Sequence, residues 1–150
     1  MHNTARINGM EGLNYWERLK DLNLFSLERR RERYMIIYVW KIIEGIVLNV
    51  EGSNKIESFT HIRRGRLIKI PSLNNRARVA VRTMKESSLL VRGPKLFNCL
   101  PREIREIGSC LERFKANLDI FLHNVPDRPT LPNYYQSRDS NSILDQINAT

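Results

Sequence analysis

The residues of this sequence whose type and spacing suggest a chemistry are the arginines and lysines of positions 61–95. This segment holds ten basic residues against one acidic residue, Glu86, so it accounts for the whole formal net charge of +9. Dense cations attract a polyanion, because neutralised phosphates release their condensed counterions. We therefore predict that the segment binds RNA or DNA. The predicted contacts are Arg63, Arg64, Arg66, Lys69, Arg76, Arg78, Arg82 and Arg92.

The order of residues 76–82 predicts that a β-strand displays these cations. The arginines lie on even positions, and the odd positions hold Ala77, Val79 and Val81, which is the period of a half-buried strand. Residues 66–70 and 88–92 predict companion strands, with turn residues at 71–75. The alternative is that the cationic face is only solvated. Self-repulsion among nine excess charges favours a polyanionic partner instead.

Residues for enzyme chemistry are not grouped in this sequence. Two-metal polymerases and nucleases need carboxylates that hold Mg²⁺ ions about 4 Å apart. The aspartates are never adjacent and lie on different predicted elements. The sequence also has no phosphate-cradling glycine-rich loop and no nucleophile elbow. It therefore predicts a binding or scaffolding unit with no catalytic residue and no cofactor.

The cysteines and histidines predict neither a metal site nor a disulfide framework. Cys99 and Cys110 are eleven residues apart, without a Cys-x-x-Cys motif or paired histidines, so reduced structural thiols are favoured. His2, His61 and His123 are isolated from one another. Residues 1–14 lack the pattern of a signal peptide, and no stretch approaches the roughly 18 apolar residues that span a bilayer. The expected location is intracellular, in the nucleus or cytoplasm, without a membrane span.

The element that must position this chemistry is a long helix over residues 26–45. Ser26 is a suitable N-cap, and Gly45 suits the left-handed position after a helix end. A buried strand at 35–40 is the competing interpretation, but the capped pattern is much longer than an ordinary strand. The second half of the helix is almost entirely apolar. We therefore expect neighbouring elements to cover nearly every side of it.

Shorter elements flank this helix. Residues 13–22 predict an amphipathic helix with Asn14 as N-cap, which places Trp16 and Phe25 in the core. A short helix follows Pro101, and a capping box at 109–112 predicts the next amphipathic helix, with apolar residues spaced by three, four and seven. Three prolines and many polar residues after position 125 predict a mostly disordered tail, with one transient turn at 140–147.

These elements predict one α+β chain with a modest core: an N-terminal helical hairpin with a long central helix, a small antiparallel basic β-sheet, a C-terminal amphipathic helix and a disordered tail. The predicted segments are a helical part at 1–48, an exposed linker at 49–60, the basic β segment at 61–95, the C-terminal helices at 96–125 and the tail at 126–150.

Several motifs, in order, resemble the C-terminal end of reverse transcriptases from LINE-type (non-LTR) retrotransposons. They are Gly9-Met10, residues 13–20 (LNYWERLK), 24–45 (LFSLERRRERYMIIYVWKIIEG) and 97–105 (FNCLPREIR). Residues 125–129 and 140–142 resemble the closing stretch of the same polyproteins. The resemblance therefore covers nearly the whole chain.

The resemblance implies a parent RNA-directed DNA polymerase that copies RNA into DNA at a nicked target. The family's Asp-Asp active-site motif has no counterpart here, so polymerase and nuclease activity cannot be transferred to any residue. What it implies for this chain is thumb-adjacent and C-terminal helices with a basic module that holds nucleic acid.

Three interpretations stay open at this point. The chain is a nucleic-acid-binding C-terminal fragment of such a transposable element, an enzyme only in association with a separately encoded remainder of the reverse transcriptase, or a small basic module. The last would bind an acidic protein or an anionic surface.

Overall fold

The computed structural model describes residues 9–49, 55–57, 65–73, 76, 78–127 and 141–148, and these residues form a helical protein. The helices are α1 Tyr15–Asp21, α2 Leu27–Ile43, α3 Val79–Ser87, α4 Leu89–Asn98, α5 Arg102–Arg105, α6 Leu111–Asn124 and α7 Ile143–Asn148. The core lies where α2 meets α4 and α6, and α7 packs against α4.

The two N-terminal helices are confirmed, together with their caps. The Asn14 side chain accepts from two N–H groups of the first turn of α1, and Glu17 bonds back to the Asn14 N–H in a capping box. Ser26 caps α2 by accepting from the Arg29 N–H at 3.2 Å. Gly45 follows α2 with a φ of 72°, which is favourable for a residue without a Cβ. These ends agree with the sequence because capping is a local interaction.

Aromatic and aliphatic side chains of three helices form the core. Trp40 of α2 stacks on Phe114 of α6 with ring centroids 5.1 Å apart, and Phe97 of α4 lies 6.4 Å from the same ring. The indole N–H of Trp40 donates to the Ile107 carbonyl at 2.7 Å. Gly93 of α4 faces α2 so closely that a Cβ there would lie 2.7 Å from a methyl of Val39.

The predicted antiparallel β-sheet is wrong, because the described residues contain helices and no strand. The supposed central strand is replaced by α3, and the supposed strand 88–92 is the first half of α4, which continues through Gly93 and Pro94. Residues 66–70 form no strand, with a single β-bridge residue at Ile68. Val79 and Val81, which the predicted strand would have buried, are exposed, Val79 to 81%. The described residues contain no sheet that could cover one face of a strand here, and the segment forms a helix instead.

Four further expectations need correction. The tail is not disordered over residues 141–148, since this stretch contains α7 and buries Ile143 completely. The helix α6 is confirmed, but its predicted capping box is absent, because Cys110 is the N-cap and makes no side-chain cap bond. Trp16 is only partly buried. Ile56, in the predicted linker, is buried and is held by the Asn49 amide through both its N–H and its C=O.

Candidate nucleic-acid interface

The exposed cations of the basic segment are concentrated on α3. Arg78 is the N-cap residue of this helix, and Arg82 and Lys85 follow it by four and seven residues. This spacing places all three on one stripe, because a helix turns once every 3.6 residues. None of the residues of α3 is buried, although the helix contacts α4. We call Arg78, Arg82 and Lys85 the α3 stripe.

One carboxylate lies at the edge of the α3 stripe. Glu86 accepts from the Nε of Arg82 at 3.0 Å in an i, i+4 ion pair, and the two side chains are 39% and 49% exposed. An exposed pair of this kind contributes only about 0–1 kcal/mol. Arg82 can therefore exchange Glu86 for a phosphate at little cost.

Two predicted contacts remain exposed outside the helix. Arg76 lies shortly before α3 and is exposed. Lys69 is also exposed, and its Nζ lies 3.2 Å from a carboxylate oxygen of Glu57. The hydrogen bond and charge of Lys69 lower the pKa of Glu57. Arg63 and Arg64 lie outside the described residues.

Arg66 is used inside the fold. Its guanidinium pairs with Glu44 at the end of α2 and donates to the carbonyl of Ile107 at 3.1 Å. Glu44 also accepts from the Ser109 N–H at 2.7 Å. Burial by itself raises the pKa of Glu44, but the Ser109 N–H and the Arg66 charge outweigh this effect, so the pKa is lowered. Arg66 thus joins α2 to the loop between α5 and α6.

Arg92 is a structural residue as well. Its Nη2 lies 2.6 Å from Glu32 Oε1 and 3.7 Å from Glu28 Oε1, so α4 is tied to α2. Glu32 is only 2% exposed. A buried carboxylate must keep its charged partner, because an uncompensated charge in the interior is costly. Arg92 therefore stabilises the core, and we do not count it among the residues that bind a ligand.

A buried polar centre that sequence reasoning missed surrounds Glu32. Besides Arg92, this carboxylate accepts from the Ser142 hydroxyl at 2.5 Å and from the Ile143 N–H at 2.8 Å. It thus anchors the start of α7 on α2. Residues 28–33 are all charged, a pattern typical of a solvated helix surface. No local signal marks Glu32 as buried, because Ser142 and Ile143 lie 110 and 111 residues away.

Arg29 forms the second half of this centre. It is completely buried and donates to the carbonyls of Leu122, Val125 and Pro126, at the C-terminal end of α6. The Leu122 carbonyl also accepts from the Val125 N–H at 3.3 Å, and Val125 and Pro126 lie beyond the last helical residue, so the guanidinium caps the end of α6. Burial lowers the pKa of Arg29, and the charges of Asp127 and Glu32 oppose that effect. Asp127 in turn accepts from the backbone N–H and hydroxyl of Ser26.

A cleft of about 580 Å³ lies between the α1–α2 corner and the end of α6. Its lining residues include Trp16, Lys20, Phe25 and His123, and the rings of Phe25 and His123 lie 4.6 Å apart. Two carboxylate residues line this cleft, but Glu17 accepts from the Asn14 N–H in the cap of α1 and Asp127 accepts from Ser26 at the start of α2. Its lining contains no Ser, Thr or Cys that could act as a nucleophile. Among the residues that the structure describes, no group of three or more potential ligands is placed to hold a metal ion.

Comparisons with protein-family models, with curated proteins and with solved structures find no match to this chain. None of the helices in the described ranges combines the length and apolar character that a bilayer span requires.

Proposed function

We propose that this chain binds nucleic acid through the phosphate backbone, with the α3 stripe as its contact surface. The observation that carries the proposal is that α3 is a cationic helix without a buried residue, attached to a core that uses the neighbouring Arg66 and Arg92 internally. The stripe spans residues 78–85, or about 10 Å of helix. One strand of a duplex carries a phosphate about every 3.4 Å along its axis, so some three phosphates lie within reach.

The wider role that we propose is that of a C-terminal piece of a LINE-type reverse transcriptase that holds template, primer or target and has no catalytic site of its own. The motifs in residues 13–20, 24–45 and 97–105 support this assignment. The remainder of the reverse transcriptase is then its protein partner. On this proposal, the purified chain extends no primed RNA template above a mock preparation.

The test of the α3 stripe is the salt dependence of binding to a 20-base-pair DNA duplex. Each phosphate contact contributes roughly 0.9 to the slope of log affinity against log salt. Replacing Arg78, Arg82 and Lys85 together by Gln should therefore reduce the slope by roughly two to three units. Because no residue of α3 is buried, the variant should keep the helical circular dichroism of the parent.

The matched control removes three exposed charges elsewhere. Lys20, Arg102 and Arg113 are exposed, and Arg102 pairs with Glu106 at i, i+4 as Arg82 does with Glu86. Their triple Gln variant has the same net charge as the stripe variant, so a non-specific effect of net charge would appear equally in both. Equal slopes for the two variants would refute the assignment to α3.

A gain of affinity provides a second test that loss of folding cannot imitate. Glu86→Gln removes the carboxylate that competes with phosphate for Arg82. The expected change is about 0.5 kcal/mol, or roughly a twofold tighter duplex at low salt. Unchanged or weaker binding contradicts the proposed position of the phosphates.

An anionic surface is the competing ligand, because Val79, Val81 and Met84 are exposed on the same helix as the cations. A helix with both features suits a lipid interface. Vesicles of anionic and of neutral lipid distinguish the two ligands. Binding to anionic vesicles as tight as binding to the duplex would replace the nucleic-acid proposal.

A further inference from the structure

The exposed face of α2 carries an ordered set of aromatic and basic side chains. Leu27, Arg31, Tyr34, Tyr38 and Lys41 follow one another at alternating intervals of four and three residues, which places them on one stripe. The buried residues of α2, among them Glu32, Ile36 and Trp40, lie on the opposite side. We call Arg31, Tyr34, Tyr38 and Lys41 the α2 face. In the second half of α2, which we expected neighbours to cover on nearly every side, Tyr38 is the exposed exception.

The two tyrosines of the α2 face are open to solvent. Tyr34 is 67% exposed and Tyr38 is 42% exposed, although α2 has seven buried residues. Within the described ranges, neither ring stacks on another aromatic ring, and neither hydroxyl has a hydrogen-bond partner. The rings are one helical turn apart, or about 6 Å along the axis. Two aromatic rings are thus held at a fixed spacing on a rigid support.

Basic side chains lie at both ends of this pair. Arg31 is one turn before Tyr34, Lys41 is one turn after Tyr38, and the distance between them along the helix is about 15 Å. In the described part of the chain, neither cation belongs to an ion pair. Arg31 is exposed and Lys41 is half-buried, so both can reach an anionic ligand that also offers flat rings.

We propose that the α2 face binds single-stranded nucleic acid, with unpaired bases stacked on Tyr34 and Tyr38 and phosphates held by Arg31 and Lys41. Binding of single strands combines these elements, since every base has a π-face and every linkage a charge. A duplex buries its bases in its own stack, so it can meet the cations but not the rings. The proposed ligand is therefore an unpaired strand, bound with little sequence preference.

This inference takes its ligand class from the proposed function but uses a different face of the molecule. Residues 65–95 contain no Phe, Tyr or Trp, so α3 itself offers no ring beside its stripe. It can recognise phosphates but cannot stack bases. The two faces therefore predict different dependences: duplex binding depends on α3, and single-strand binding depends also on the rings of α2.

The experiment uses the full chain, a labelled 12-nucleotide oligothymidylate and a duplex of the same length, and follows fluorescence anisotropy over a range of salt. Alanine substitution of a stacking ring weakens binding by roughly fivefold or more for each base. For the double variant Tyr34→Ala, Tyr38→Ala, we expect at least about a 25-fold loss for the oligonucleotide. The salt slope and duplex affinity should stay unchanged, because no charge is removed.

Two further variants separate stacking from loss of structure. Tyr34→Phe with Tyr38→Phe keeps both rings and should bind the oligonucleotide within about twofold of the parent, because stacking uses the ring rather than the hydroxyl. Arg31→Gln with Lys41→Gln should shallow the single-strand slope by roughly 0.7 per lost contact.

The outcomes separate this inference from the proposed function. Parental binding of the oligonucleotide by the alanine pair overturns the α2 face and leaves the α3 stripe standing, provided that the α3 variant still loses affinity. An equal loss for duplex and single strand also overturns it, since stacking on unpaired bases is then not the cause. Binding of neither probe by the parent chain overturns both proposals.

Discussion

Replacing Glu32 by Gln is the sharpest test of how this fold is held together. The carboxylate accepts from three donors on two other segments: Arg92 at 2.6 Å, the Ser142 hydroxyl at 2.5 Å and the Ile143 N–H at 2.8 Å. Glutamine keeps the size of the side chain but removes the charge. It also turns one acceptor into a donor that faces other donors. The variant therefore isolates electrostatics from packing.

The size of the effect follows from the burial of the two partners. Removing one member of a buried ion pair costs about 3–5 kcal/mol. Glu32 is 2% exposed, but the Arg92 side chain is 28% exposed, so Arg92 can recover part of its hydration. We therefore expect the lower end, a decrease of about 3 kcal/mol in the free energy of unfolding. For a chain of this length, that corresponds to roughly 6–12 °C in Tm.

Urea unfolding, followed by tryptophan fluorescence, measures this change as a lower midpoint at constant m-value. Glu103→Gln is the matched control, because Glu103 is exposed and its substitution should stay within about 0.5 kcal/mol. A double-mutant cycle with Ser142→Ala should give a coupling of roughly 0.5–3 kcal/mol. A Glu32 variant as stable as the Glu103 variant, with no coupling to Ser142, would refute the buried centre.

Three other predictions concern the reactivity of the cysteines, the packing of Gly93 and the ion pair of Glu44. A thiol reagent should modify the exposed Cys110 quickly and Cys99 slowly in the folded chain, because burial raises the pKa of the Cys99 thiol to about 12; equal rates would contradict this. Gly93→Ala should lower the free energy of unfolding by about 1–3 kcal/mol, since the new methyl overpacks the contact with α2, and a neutral urea curve would count against it. Glu44→Gln should destabilise at pH 7 but have little effect in acid. Folding lowers the pKa of Glu44, so its contribution to stability is present above the unfolded pKa of about 4.3. This contribution disappears as the pH falls through the folded pKa. A loss of stability that is constant with pH would disprove the role of Arg66.

The helices with local end signals could be predicted from the sequence. Asn14 and Ser26 cap their helices through atoms two or three residues away, so the whole interaction is contained in a short window. The apolar spacing of α6 predicted that helix even though its capping box is absent. The sequence therefore predicts the type of an element where the stabilising contacts are local or periodic.

In the basic segment, the prediction of secondary structure from the sequence was wrong. Over residues 76–82, the alternation of arginine with apolar residues fits a strand, but Arg78, Arg82 and Lys85 also fit one face of a helix. A strand needs a neighbour to pair with, and the described chain provides none. The choice between the two periods therefore depended on partners that lie outside the window.

The sequence by itself determined that the excess positive charge lies in one segment and that a long capped helix organises the chain. Only the tertiary structure decided which charges remain available to a ligand. Arg66 and Arg92 belong to the same basic segment as Arg78, yet both are paired with carboxylates of α2 and its end. A charge that leaves water needs a partner, and the partners here come from segments far apart in the chain. The same packing leaves Tyr34 and Tyr38 in solvent. In the described part of the chain, α4 and α6 pack against the opposite side of α2.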